Sequence, residues 1–313
     1  MPVVLIGSKQ NPEMEKSFSD APEGTEVRYL PEGGKQVDHL AGVEVIYGRI
    51  REEEFQAASD LKWVHQPFAG AEGHMFPAFK QSDVILTNCA GLFGQQISEH
   101  AFALLFSLTR RILDQHDFMK RKHWEILPCF EMAGGTMGIV GLGGIGRAIA
   151  LRAKAFEMEV LAVDPEPIEK PDYVDRLEKP DWLGEMMSRS DVVVSCSPST
   201  PETHRLISAD TFGRMKKGSY FINVSRGKVV DEEALIDALR SGRLAGAGLD
   251  VTYKEPCPKD NPLWDFPNVI LTSHSAGQSQ RYRQRAVQLF IDNLHRFVKG
   301  EPLANVVDKE KGY

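Results

Sequence analysis

Apolar and polar positions along this chain fall into short blocks that switch between two periods. Val3-Val4-Leu5-Ile6 predicts a first buried strand. Val43–Tyr47, Leu61–His65 and Val84–Thr87 predict further short strands beside loops rich in Gly and Pro. The period then lengthens. Ala101, Leu104, Leu105, Leu108 and Ile112 recur at helical spacing and predict one long helix from about Ser98 to Lys122. After a loop over 127–135, strands are predicted at Thr136–Val140, Val160–Val163, Asp191–Ser195, Ser219–Asn223, Ala245–Asp250 and Asn268–Thr272. Between and after them lie helical patterns at Gly146–Ala155, Trp182–Ser188, Glu232–Ser241 and Gln280–Lys299. This alternation predicts an α/β protein with doubly wound parallel sheets in two Rossmann-like domains.

The junction between the first two mid-chain strands carries the strongest signal. Gly141-Leu142-Gly143-Gly144-Ile145-Gly146 separates a strand from an Ala-rich helix, and the next strand ends at Asp164. Strand, G-x-G-x-x-G, helix, strand, acid is the dinucleotide-binding pattern in full context. Gly141 permits a tight turn, Gly143 lets a pyrophosphate approach the backbone, and Gly146 lets helix and strand pack closely. The helix start at Gly144 and Ile145 offers free N–H groups and a positive dipole end. Asp164 follows Gly146 by close to the roughly 20 residues expected of a ribose-binding acid. Its charge repels a 2′-phosphate, so NAD is expected in preference to NADP. The motif lies in mid-chain, which predicts an inserted NAD-binding domain over 98–286. Residues 1–97 and 287–313 would then form the substrate-binding domain.

Composition narrows the class. The 313 residues suffice for about two domains, and 42% hydrophobic with 26% charged residues is the balance of a soluble globular enzyme. A net charge of −7 offers no basic surface to nucleic acid or anionic lipid. No apolar run reaches the roughly 18 residues of a membrane span. The first residues are too short and uncharged a segment for a signal peptide. Cys89, Cys129, Cys196 and Cys257 are scattered without metal-binding spacing. They suggest reduced thiols in a cytoplasmic protein, with no metal site.

Three further sites follow strands, where open α/β sheets place ligands. Val224-Ser225-Arg226-Gly227 presents an arginine able to hold a carboxylate through two parallel hydrogen bonds. Asp250 ends a strand and Glu255 sits in the next loop; alone, each is better read as a cap or a solvated acid. His274, in Thr272-Ser273-His274-Ser275-Ala276-Gly277, is a candidate general acid or base.

Taken together, these stretches resemble the D-isomer-specific 2-hydroxyacid dehydrogenase family, over essentially the whole chain. The resemblance rests on Gln66–Glu72, Ile97–Ala101, the glycine motif, Ser197–Thr203, Asn223–Asp231, Asp250 with Glu255-Pro256, and Pro267–His274. It implies Arg226, Glu255 and His274 as the catalytic trio. Arg226 would bind the carboxylate of a 2-oxo acid, and His274 would protonate the ketone oxygen. Glu255 would favour the imidazolium. Backbone N–H groups of Ala69 and Gly70 would hold the carboxylate from the other side. Asp250 is expected near the nicotinamide carboxamide, with Ser197, Pro198, Val224, Ser225 and Gly277 lining the cofactor. A homodimer is implied, built through the long helix and the loop after it.

Two departures concern the pocket. Phe68 stands where a small residue is common, and Ser273 replaces a usual proline. His123–Pro128 and Lys311-Gly312-Tyr313 resemble one branch, the glyoxylate/hydroxypyruvate reductases, which usually prefers NADP; Asp164 argues against carrying that preference over. The expected activity is interconversion of a small 2-oxo acid and its D-2-hydroxy acid. Phosphite oxidation and a non-catalytic NAD-sensing role on the same fold are the alternatives.

Overall fold

In the computed structural model, residues 1–9 and 16–313 are described. The chain divides into two compact units, Met1–Phe93 with Ser279–Tyr313, and Gly94–Gln278. The second therefore interrupts the first. The seams fall a few residues before the sequence-based boundaries at 97 and 286, for packing reasons. The helix Gly94–Thr109 begins at Gly94, where an added Cβ would lie 2.8 Å from the carbonyl oxygen of Gly144, inside the second unit. At the other seam, the helix Tyr282–Lys299 belongs wholly to the first unit, burying Val287, Phe290, Ile291 and Leu294 there.

The first unit contains β1 (Val3–Lys9), β2 (Glu26–Leu30), β3 (Val45–Tyr47), β4 (Trp63–His65) and β5 (Ile85–Thr87). They form one sheet in the order β2-β1-β3-β4-β5, all neighbours parallel. Successive side chains point to opposite faces and feed separate cores. Val4, Ile6, Val45 and Trp63 pack with Phe290 and Leu294, whereas Leu5, Ile46, Val64 and Leu86 pack with Leu40, Ile50 and Phe79. Trp63 and Phe290 are fully buried and stacked, with ring centroids 5.1 Å apart.

The second unit contains β6 (Thr136–Val140), β7 (Glu159–Val163), β8 (Arg176–Glu178), β9 (Val192–Ser195), β10 (Ser219–Asn223), β11 (Leu244–Leu249) and β12 (Val269–Leu271). Their order is β12-β11-β10-β9-β6-β7-β8, again wholly parallel. The strand order reverses between β6 and β9, which is where doubly wound sheets open a crevice for ligands. On one face Val140, Leu161, Val193, Phe221 and Leu249 pack with Met186, Phe212 and Leu235. The helix Gly94–Thr109 lies on the other face close against β11: a Cβ at Gly248 would stand 2.8 Å from Cβ of Leu104.

Three features differ from the sequence reading. β2 and β8 are additional strands. Both are polar edge strands, Glu-Val-Arg-Tyr-Leu and Arg-Leu-Glu, and lack the apolar run that marked the central ones. The expected single helix over 98–122 is two helices, Gly94–Thr109 and Ile112–Lys120, interrupted at Arg111 by a left-handed φ of 55°. Ile112 prolonged the apolar spacing, yet it is half exposed and the second helix buries no residue. The short helix Ala209–Arg214 is set by a local capping box between Ser208 and Thr211, not by apolar periodicity.

Candidate active site

The glycine loop leaves β6 at the crevice. Gly141 has φ 95°, and its N–H donates to the Val163 carbonyl at 2.9 Å. A Cβ on Gly146 would lie 2.1 Å from the Gly141 carbonyl oxygen, so only glycine allows this helix to sit so close. A Cβ on Gly143 would meet nothing within 4 Å, so the backbone faces open space there. Gly144 and Ile145 form the first turn of the helix Gly144–Ala155, where N–H groups lack helical acceptors. Across the crevice, Ser197 donates its hydroxyl to the Val140 carbonyl at 3.1 Å, and the Pro198 carbonyl accepts from Thr203. This cradle fits the pyrophosphate of a dinucleotide.

Asp164 follows β7 and is largely buried. Its Oδ2 accepts the N–H of Leu142 at 2.7 Å and its Oδ1 accepts that of Glu166 at 2.8 Å. The acid therefore anchors the glycine loop. A carboxylate has about four acceptor positions, so each oxygen retains one for a ribose hydroxyl.

At the far side of the crevice, the strand end of β10 is a small polar cluster. Asn223 is buried, and its Oδ1 accepts both the N–H and the hydroxyl of Ser225, at 3.1 and 2.8 Å. Since Ser225 gives its only hydroxyl proton to Asn223, Ser195 must donate to Ser225, at 2.8 Å. Asn223 Nδ2 reaches the Arg226 carbonyl at 3.3 Å, and the Arg226 guanidinium donates to the Ser225 carbonyl at 2.8 Å. Val224 is buried beside them. A Cβ on Gly227 would fall 1.8 Å from the Thr252 carbonyl oxygen. The Arg226 loop and the loop after β11 can touch only because residue 227 is glycine.

That second loop carries Glu255. Its Oε2 lies 2.7 Å from Nδ1 of His274, and its Oε1 accepts the Thr252 N–H at 3.3 Å. Glu232 braces the loop by accepting from the Tyr253 N–H and the Asn261 amide, both at 2.8 Å. Both members of the Glu255–His274 pair are partly open to solvent. Asp250, by contrast, is buried and gathers the loop around His274. It accepts from the Thr272 hydroxyl and from the N–H groups of Ser275 and Ala276.

Glu255 and His274 are thus in direct contact, Arg226 is joined to their loop through Gly227, and Asp250 holds the turn that follows His274. Gly277 accepts from the Gln96 amide at 3.4 Å. Asn223, Glu232 and Thr272 were not singled out from sequence. Glu232 and Thr272 have their partners in other loops, and the bonds of Asn223 to Ser225 and Arg226 form only once the turn after β10 closes.

Ala69 and Gly70 lie in the first unit. Their loop is fixed by bonds to the carbonyls of Pro67, Phe68 and Ala69, from the Tyr282 hydroxyl, the Cys89 N–H and Asn88 Nδ2. Among the described residues, the N–H groups of Ala69 and Gly70 donate to no acceptor. Phe68 is half exposed and stacks on Tyr282 at 6.1 Å.

The crevice, the glycine cradle and the carboxylate–imidazole pair define a nucleotide-dependent oxidoreductase. A family model for the NAD-binding domain of D-isomer specific 2-hydroxyacid dehydrogenases matches residues 102–276. A glyoxylate reductase of Korarchaeum cryptofilum is 35% identical over 86% of this chain and 82% of its own. Among solved structures, a D-isomer specific 2-hydroxyacid dehydrogenase family protein from Aeromonas salmonicida superposes with TM-score 0.89 at 30% identity, over 98% of this chain and 99% of that one. An NADPH-dependent glyoxylate/hydroxypyruvate reductase from Sinorhizobium meliloti, solved with NADP and sulfate, gives 0.87 at 27% identity over the full length of both. The chain belongs to the D-isomer specific 2-hydroxyacid dehydrogenase family, as an enzyme that uses a nicotinamide cofactor.

Proposed function

We propose that this enzyme reduces a small 2-oxo acid to its D-2-hydroxy acid, with NADH preferred to NADPH. The observation that carries the reading is the 2.7 Å contact between Glu255 Oε2 and His274 Nδ1, on a loop joined to Arg226. Held on the glycine cradle, the cofactor supplies the hydride. Arg226 holds the substrate carboxylate and polarises the ketone. His274 has Nδ1 committed to Glu255, so Nε2 is the atom that gives a proton to the carbonyl oxygen. In the reverse direction neutral His274 takes it back. Residues 94–278 form the cofactor domain and the first unit the substrate domain.

The cofactor preference is supported by charge. Asp164 follows β7, where the dinucleotide pattern expects the ribose-binding acid, and its carboxylate would repel a 2′-phosphate. The nearby cations Lys179 and Arg147 donate to the backbone carbonyls of Pro165 and Glu169. A homodimer in the cytoplasm fits the exposed apolar groups at and after the helix Ile112–Lys120, where Trp124 and Ile126 are almost fully exposed. Among the described residues, no helix is long and apolar enough to cross a membrane.

The test is a steady-state assay with NADH and with NADPH against glyoxylate, hydroxypyruvate and larger 2-oxo acids. Turnover of at least one 2-oxo acid, with higher kcat/KM for NADH, is expected. Phosphite oxidation without 2-oxo acid reduction would overturn the substrate class. Equal or better kcat/KM with NADPH would overturn the cofactor choice alone.

A further inference from the structure

His274 adopts a left-handed φ of 52°, unusual for a residue with a β-carbon, so its loop needs outside support. The support comes from one side. The His274 N–H donates to the Asp250 carbonyl at 2.8 Å, and the N–H groups of Ser275 and Ala276 bind the two oxygens of the Asp250 carboxylate at 2.9 and 3.0 Å. Asp250 Oδ1 also accepts the Thr272 hydroxyl at 2.6 Å. Nε2 of His100 lies 2.9 Å from that hydroxyl oxygen and 3.5 Å from Asp250 Oδ1. A threonine hydroxyl has one proton, and here the carboxylate takes it, so Thr272 must accept from His100. The bonds therefore run in one direction, from His100 to Thr272 to Asp250. The helix Gly94–Thr109 that bears His100 also reaches the far end of the loop, where Gln96 Nε2 donates to the Gly277 carbonyl.

We infer that His100 is a positioning residue for catalysis: as the Nε2–H donor that starts this chain, it fixes Asp250 and through it the backbone that aims His274. The inference rests on the reading of His274 as the acid–base group. The printed polar partners of His100 are Thr272 and Asp250, so its loss acts first on the proton-transfer geometry, and on the cofactor only through Asp250.

Reduction of glyoxylate by NADH, or of whichever 2-oxo acid the wild type turns over best, is measured for the wild type and for His100→Leu, His100→Gln, Thr272→Val, the His100→Leu/Thr272→Val double variant and His274→Ala. Misplaced acid–base groups lower rates by up to about 100-fold, so His100→Leu should lose kcat on the order of 10- to 100-fold, with a smaller change in NADH affinity by fluorescence. His100→Gln should recover most of that loss, because its amide can still donate to Thr272. A side chain that only fills space would be served by leucine at least as well. The double variant should be no slower than the slower single variant. Wild-type kcat in His100→Leu, a glutamine variant as slow as leucine, or multiplying losses in the double variant would each overturn the inference. If His100→Leu does not fold, the nearly isosteric Thr272→Val carries the same expectation, and its wild-type kcat would overturn it. His274→Ala separates the two levels. A wild-type rate there sinks the functional reading itself, whereas a dead His274→Ala beside an intact His100→Leu sinks only the role of His100.

Discussion

Each unit places a histidine at or just past the C-terminal end of a parallel strand, and the two have opposite chemistry. His65 ends β4 with no exposed surface, its Nδ1 2.7 Å from the Thr87 hydroxyl and its ring stacked on Tyr47. Burial lowers its pKa to about 3 and pushes the thiol of neighbouring Cys89 up to about 12. Neither carries charge near neutral pH. His274 is partly exposed and has a carboxylate 2.7 Å away. Position at a strand end is common to both. Exposure and a counter-charge make the difference, which is why the proposed proton transfer falls to His274 and not to His65.

The sharpest way to break this comparison is His274→Ala. Ketone reduction should fall by about 10²–10⁴-fold, the usual worth of general acid–base help, while NADH binding by fluorescence titration stays intact. Retained turnover would remove the distinction between the two histidines. Next in size, Arg226→Lys should stay folded and lose about 10- to 100-fold in kcat/KM, since an ammonium cannot reproduce the two-pronged grip and a charge-assisted hydrogen bond is lost. A wild-type kcat/KM would take Arg226 out of the carboxylate site.

The buried side of the comparison predicts acid sensitivity. His65, with a pKa near 3, and His74, held near 4 chiefly by burial, both lie below the ordinary 6.5 of an unfolded chain. Below pH 6.5 the unfolded chain takes up protons that the folded chain refuses. Their contribution to stability is complete above that pH and shrinks as pH falls toward their folded values. The loss should approach about 1.4 kcal/mol per pH unit for each histidine, and urea unfolding at pH 7, 6 and 5 would read it. Flat stability over that range would mean that these imidazoles are not held neutral.

Smallest is the effect of Glu255→Gln. The amide can still meet Nδ1 of His274 but no longer balances charge there, so kcat for reduction should fall by less than in His274→Ala. A wild-type kcat would separate Glu255 from His274 and leave the loop without that role.

How much of this was legible along the chain depended on the kind of force involved. Steric requirements were plain. Gly141 and Gly146 announce themselves because no other residue fits, Gly143 because it leaves the backbone bare, and β6, β9 and β10 because a two-sided burial demands an apolar run. The edge strands β2 and β8 carry no such demand. The break at Arg111 was masked by Ile112, whose apolar character continued the spacing without finding a core. Hydrogen-bonded relations were the least visible. Read alone, Glu255 was better taken for a cap or a solvated acid, and only the family resemblance paired it with His274. His100 and Thr272 are 172 residues apart in sequence, and no spacing rule connects them.

Asp164 has a practical consequence for anyone wishing to alter the cofactor choice of this enzyme. The side chain that would be changed to admit the extra phosphate is also a tether of the glycine loop, through the N–H of Leu142. Alanine would remove charge and tether together, so a gain in tolerance would be offset by a looser grip on either nucleotide. Asparagine keeps one acceptor for the loop while surrendering the charge. Cofactor exchange is therefore a problem of rebuilding a turn, and the first substitution should be the one that leaves the turn standing.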